Sequence, residues 1–334
     1  MSRRHALAAA AIAFALGLGV AGPSHAQDRN QDRNQDRYPS RPIKLLVPFP
    51  AGGPVDVMAR LVGQQLSSTL GQQVVIENRA GAGSTLAAKA AATAEPDGYT
   101  LLVGSAATLA IGPTLYPNAG YDPAKSFAPI AFVSSVPYVM ITRPQAIAKT
   151  LPDLITYAKA NPGKLNFGVP NGAPPHMLAA WFRNVTSIDI VIVPYRGAST
   201  VITDLLGGQI DLGMETTSVT LGHVREGKVR ALGVATAARL PDLANVPTMI
   251  ESGVPDFIAS SWTGIIAPAG TPREIVNRLN AEINAGLRSP TMQTRFKQLG
   301  AIANPGTPED FAAFIAKESP KWVTMVKLSG IQPE

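Results

Sequence analysis

The sequence predicts an exported α/β protein built from two lobes. Three observations carry the prediction. A secretory leader comes first, short apolar strands then alternate with amphipathic helices in the order βαβαβ, and the same alternation restarts after about residue 150.

The leader is read from its parts. Arg3 and Arg4 precede an uncharged run from Ala6 to Gly22, and Ser24-His25-Ala26 follows. A basic start, an apolar run and a small-x-small site make a signal peptide over 1–26. The run is near ~17 residues and holds several glycines, at the short limit for crossing a bilayer. Ser2-Arg3-Arg4 resembles a twin-arginine start, but Ala6 stands where a bulky apolar residue is usual, so Sec and Tat export both stay open. QDRN is then written twice, over 27–34, and begun again at Gln35. The stretch is polar and its charges cancel, so 27–37 is expected to be a disordered linker. The mature chain is expected to work outside the cytoplasm.

Composition narrows the chemistry. About 300 residues remain, enough for one large or two medium lobes with proper cores. Zero Cys removes disulfides, thiol nucleophiles, iron–sulfur ligands, the usual structural zinc and a cysteine-linked lipid anchor. Net charge is +6, falling to +4 without Arg3 and Arg4. The basic residues are scattered, which argues against nucleic acid as a partner.

Ile43 to Val47 is a buried apolar strand, and Pro54 to Leu70 is a helix with Val55, Met58, Leu61, Val62 and Leu66 on one face. Val74 to Glu77 is a second strand. Ser84 is placed to cap an alanine-rich helix that Pro96-Asp97-Gly98 ends. Thr100 to Val103 is a third strand. The second series has a helix at Leu151–Ala160, strands at Leu165–Val169, Asp189–Val193, Gln209–Met214 and Arg230–Thr236, and helices starting near Pro175 and Ala198. Trp262–Ala267 is a last strand, and helices at Pro272–Leu287 and Pro308–Met325 close the chain. The expected lobes are 38–136 plus 261–334, and 137–260.

The turns after the strands carry the candidate site, because ligands bind at strand carboxyl ends in parallel sheets. Phe49, Pro50, Ala51, Gly52, Gly53, Val55 and Asp56 form a Pro/Gly turn that opens a helix, where N–H groups favour an anion. A plain turn with Asp56 serving the helix dipole is the alternative. Ser105 and Thr108 follow the third strand. Asn171, Gly172 and His176 form another strand-to-helix turn. Arg196, Gly197 and Ala198 repeat the pattern, and Arg196 can pair with a carboxylate or stay solvated. Glu215 and Thr216 end a later strand. Arg79 to Ser84 lacks the third glycine of a dinucleotide fingerprint, so no cofactor is expected. His176 and His223 are the only histidines after the leader, too few for a histidine-rich metal site, and no catalytic residue is assigned.

These turns lie within a wider resemblance. Tyr38-Pro39-Ser40-Arg41-Pro42-Ile43, Val47-Pro48-Phe49-Pro50, Val75 to Gly83, and Pro96-Asp97-Gly98-Tyr99-Thr100-Leu101-Leu102 occur in order. Tyr121-Asp122-Pro123, Phe127-Ala128-Pro129-Ile130, Val193 to Gly197, Asp204 to Gln209 and Val246-Pro247-Thr248 follow. Together they resemble the periplasmic solute receptors of the tripartite tricarboxylate transporter type, the Bug receptor family.

The resemblance implies a type II periplasmic-binding-protein fold, two α/β lobes on a two-stranded hinge. It implies capture of a small organic carboxylate in the cleft, with the first strand-to-helix loop holding a carboxylate through backbone groups and bridging waters. It also implies delivery to membrane subunits of the transporter, or docking on a sensor kinase, by a chain expected to be a monomer. Val55 stands where Thr or Ser is usual, Glu215-Thr216 replaces Asp-Asn, and Pro174 replaces Thr or Ser. These departures keep the ligand open. The competing class is a secreted hydrolase or lyase using His176 and Asp56, against which the chain offers no positioned nucleophile–base pair.

Overall fold

The computed structural model describes residues 38–333. The signal peptide and QDRN linker expected over 1–37 lie outside the described residues. Among the described residues no helix is long and apolar enough to cross a membrane.

The first series forms as its patterning dictates. Strand β1 is Ile43–Val47, with only Lys44 exposed. Helix α1, Pro54–Leu70, buries Met58, Ala59, Val62, Leu66 and Leu70 on one stripe and stops at Gly71, whose φ of 71° is left-handed. Strand β2 is Val74–Asn78, helix α2 is Thr85–Ala92, and strand β3 is Thr100–Ser105. Ser84 does not cap α2 as expected. Its φ is 79° and its side chain makes no capping hydrogen bond. The chain turns through a left-handed run over 82–84 instead.

Strand β4, Phe127–Thr142, spans 16 residues. The second series then runs α3 (Leu151–Ala160), β5 (Asn166–Pro170), α4 (Pro174–Thr186), β6 (Val191–Tyr195), α5 (Ala198–Leu206), β7 (Leu212–Thr216), α6 (Thr217–Arg225) and β8 (Arg230–Val234). The chain closes with β9 (Ser260–Pro268), α7 (Arg273–Arg288), α8 (Pro290–Gln298), the two-residue strand β10 (Ile302–Ala303) and α9 (Pro308–Ser329). A capping box between Thr307 and Asp310 starts α9.

The sheet order is β2-β1-β3-β9-β4-β7-β5-β6, with β8 and β10 also pairing β4. Strand β4 joins two halves of the sheet. It pairs β9 from Phe127 to Pro137, and β7 from Tyr138 to Thr142. The first half therefore holds β1–β3 and β9, and the second holds β5–β8. Helix α9 brings Phe311, Trp322 and Met325 into one buried cluster with Met177 and Phe182 of α4 and with Phe257. The C-terminal segment returns to the first half through Asn280 of α7, whose amide donates to the Ile130 carbonyl of β4 at 2.8 Å.

Candidate functional site

The strand directions set where the site lies. Strands β1, β2 and β3 are parallel, and β3 is antiparallel to β9, which is antiparallel to β4. So β3 runs along β4 toward the second half. Strand β7 is antiparallel to β4 and parallel to β5, which is parallel to β6. The second set therefore points back at the first. Ser105 stands level with Thr263 and Ser134, and Thr216 stands level with Tyr138. Four residue steps along β4, from Ser134 to Tyr138, separate those levels, about 13 Å at ~3.3 Å per step. The carboxyl ends of both strand sets thus face each other across a gap spanned by β4 and β9.

On the first side the turn after β1 is pinned. Gly52 takes φ 81°, which lets the chain reverse, while Gly53 is extended at φ −75° and is the N-cap of α1. Asp56 is 2 % exposed. It accepts hydrogen bonds from the Gly52 N–H at 2.9 Å, Arg60 Nε at 2.9 Å and Asn78 Nδ2 at 2.8 Å. Asn78 also donates to the Phe49 carbonyl at 3.1 Å. Burial alone would raise the Asp56 pKa, but these donors and the Arg60 charge outweigh it and hold it at about 2. Both carboxylate oxygens are therefore committed to the turn and its neighbouring strand. Phe49 is half-buried; Pro50, Ala51 and Gly52 are exposed.

Ser105 and Thr108 form a closed unit after β3. The Thr108 hydroxyl accepts from the Ser105 N–H at 2.7 Å and donates to the Ser105 carbonyl at 2.9 Å. Thr108 has no exposed surface, so it fixes this turn rather than presenting a group outward.

The turns of the second half are more open. Asn171 and Gly172 are exposed, and Gly172 has φ 68°. The Gly172 N–H approaches His176 Nδ1 at 3.5 Å, a long bond. Burial first, and the Arg183 charge second, lower the His176 pKa and favour neutral imidazole. Arg196 is exposed, and Gly197 and Ala198 start α5 with no side-chain cap.

Glu215 is a buried group rather than a surface contact. It is 4 % exposed and stands in register with Val139, while its neighbour Thr216 registers with Tyr138 and so faces the other way. Its Oε1 has no hydrogen-bond partner among the described residues. Burial pushes its pKa up to about 8, opposed only by the Thr216 backbone amide.

Of the cavities that bridge the two halves, one includes the first turn of α1. Its volume is about 180 Å³, and it is lined by Pro54, Val55 and Met58 of α1, Ser134 and Val136 of β4, Ser261 and Thr263 of β9, Thr216, Ser218 and Leu299. Of the expected contact residues it gathers Val55 and Thr216 and leaves the others outside its lining. Two helix starts meet there, α1 from the first half and α6 from the second, and neither has a side-chain cap. Their free N–H groups give the cavity a positive bias. A hollow of 370 Å³ between α6 and α8 also spans the two halves, lined by Pro137 of β4, Thr217 at the start of α6, Lys297 and β10, and one of 710 Å³ lies between α1 and α8 on helix surfaces.

Sequence reading missed Ser134 because β4 was not recognised as a strand, and it missed Ser261 and Thr263 because the recognised strand at Trp262–Ala267 had no known partner to show which face they occupy. Pro129 and Pro137 break the apolar pattern of β4, and only its pairing with β9 reveals which face the hydroxyls occupy.

Comparison with known proteins gives this geometry a context. Residues 58–331 match the family described as tripartite tricarboxylate transporter family receptor. The protein BugT of Bordetella pertussis is 39 % identical over 295 residues, covering 88 % of this chain and 90 % of that protein. An R. palustris protein solved with adipate has 34 % identity and a TM-score of 0.75, covering 89 % of this chain and all of that one. MatC from Rhodopseudomonas palustris, solved with bound malate, has 34 % identity and a TM-score of 0.72, covering 86 % of this chain and all of that one. The fold is thus the α/β fold of periplasmic binding proteins.

Proposed function

Because the chain belongs to the tripartite tricarboxylate transporter receptor family, we propose that it is a periplasmic, monomeric, non-enzymatic receptor that captures a small organic carboxylate between its two halves. It then delivers the ligand to the membrane subunits of such a transporter. The halves act as lobes, 38–136 with 261–334 and 137–260, and β4 with the chain entering β9 is the hinge. Adipate and malate in two structural neighbours support this ligand class.

One observation carries the reading: two uncapped helix starts, one from each half, line a single cavity. An anion placed there meets N–H groups of both halves at once. Such a ligand interacts better with a closed arrangement than with an open one, and that difference alone shifts the population toward closure. The carboxylate rests on the backbone of 51–56. Asp56 is the positioning residue that keeps Gly52 and the start of α1 in place. Asn171, His176, Arg196 and Thr216 approach from the other side.

A thermal-shift screen of organic acids, malate and adipate included, tests the reading, since ligand bound only to the native state raises the melting temperature. At least one acid is expected to do so. In calorimetry with that acid, Gly53→Val should weaken binding about tenfold, roughly 1.4 kcal/mol. A side chain at Gly53 meets only the Pro50 carbonyl, at 3.5 Å, so folding is expected to persist. No stabilisation by any acid, or unchanged affinity in folded Gly53→Val, contradicts the proposal.

A further inference from the structure

We infer that Ser134 and Thr263, on the two strands that cross between the halves, are ligand-contacting residues that donate a hydrogen bond to an oxygen of the bound carboxylate. This deepens the receptor reading and rests on it.

The pair is an unusual thing to bury. Ser134 is 1 % exposed and Thr263 is 6 % exposed. Both line the 180 Å³ cavity. Their hydroxyl oxygens are 2.8 Å apart. Two hydroxyls bonded to each other use one of their two hydrogens, and among the described residues no acceptor takes the second. That hydrogen is available to an acceptor arriving in the cavity.

The backbone aims the pair. Pairing of β4 with β9 skips a residue between Phe132 and Ser134. Without that bulge Val133 would stand opposite Thr263; with it Ser134 does. Bulges beside binding sites commonly re-aim a side chain in this way. Thr263 also stands level with Ser105 of β3, so three hydroxyls form a row across adjacent strands. Ser261, two residues along β9 and thus on the same face, lines the cavity too.

The lining holds no Lys, Arg, His, Asp or Glu. Recognition there falls to hydroxyls and helix N–H groups, both of which suit a carboxylate or carbonyl oxygen. A ligand held this way touches the crossing strands themselves.

The test is calorimetry with malate, adipate, succinate and benzoate, using the tightest binder for the variants. Thr263→Val keeps the shape and removes the hydroxyl; Ser134→Ala does the same for its partner. Each should weaken binding about tenfold while the ligand-free protein still unfolds in one cooperative transition. The double variant should be little worse than either single one, since one hydrogen bond is lost in all three. Thr263→Ser, which restores the hydroxyl, should bind within about twofold of wild type. Folded Thr263→Val and Ser134→Ala with wild-type affinity overturn the inference, as does equal weakening in Thr263→Ser and Thr263→Val, which would mean packing. If none of the four acids binds wild type, the receptor reading fails for this panel and the inference falls with it. If wild type binds and the variants match it, only the inference falls.

Discussion

Each half of the molecule buries one carboxyl group near the cavity, and the two are treated in opposite ways. Asp56 in the first half has three donors and is held ionised at about 2. Glu215 in the second half has an orphaned oxygen and is pushed up to about 8 by burial. The difference extends to the surroundings. The first turn is cross-linked by side chains to its helix and to β2, whereas Asn171 to His176 is held by backbone bonds, to Tyr195 of β6 at 2.9 Å and from His176 to Ala173 at 2.9 Å, with one long side-chain contact at 3.5 Å. The first turn is thus fixed by buried side chains, and the second by its backbone alone. Preorganisation on one side limits the entropy lost on binding.

The largest expected loss of stability breaks the preformed side. Asp56→Ala removes a buried, fully bonded charge and should cost about 3 kcal/mol at pH 7, measured by urea unfolding. Its pH dependence follows from the lowered pKa. The unfolded state takes up a proton near 3.8 and the folded state only near 2, so the contribution is full above about pH 4 and is lost as pH falls through that window. The wild-type advantage over Asp56→Asn should shrink toward pH 2. A loss below about 1 kcal/mol would mean the first turn is no better built than the second.

Glu215 should respond with the opposite sign. Its folded value lies above the ordinary 4.5, so between 4.5 and about 8 the folded state keeps a proton that the unfolded state releases. Stability therefore falls as pH rises through that range. Glu215→Gln should stabilise the protein by up to about 4 kcal/mol at pH 7.5, and the gain should fade toward pH 4.5. A destabilised Glu215→Gln protein at pH 7.5 would show that the carboxylate has a partner in solution.

A smaller effect separates adjacent glycines of the cradle. Gly52 has φ 81°, so Gly52→Ala should cost about 1 kcal/mol through backbone strain. Gly53 has ordinary φ and open space, and Gly53→Ala should stay within about 0.5 kcal/mol. Equal losses would deny that the turn depends on the left-handed residue.

Much of this architecture is legible in the sequence, for identifiable reasons. Strands such as Ile43–Val47 and helices such as Leu151–Ala160 follow from local apolar periodicity and caps. The Pro/Gly turn over 48–54 marks the first cradle by its residue types. Strand β4 is hidden because its pattern is set by two different neighbours on its two stretches, with prolines at 129 and 137. Helix α8 and the two-residue β10 escape for a related reason, since both are short and amphipathic signals there are weak. At the site, residue type suggested Asp56, Thr108 and Glu215 as contacts. Only the hydrogen bonds reveal that Asp56 and Thr108 serve their own turns, and only register reveals that Glu215 and Thr216 face opposite ways.

The central claim is that a carboxylate sits between two helix starts and two facing sets of strand ends. A crystal structure with the tightest acid from the thermal-shift screen tests it most directly. The account predicts one carboxylate within hydrogen-bond reach of N–H groups over 52–56, with Thr216 or Ser218 of the second half and the Ser134–Thr263 pair in contact with the same molecule. Ligand density in the groove between α1 and α8, or on one half alone with the crossing strands untouched, would contradict it.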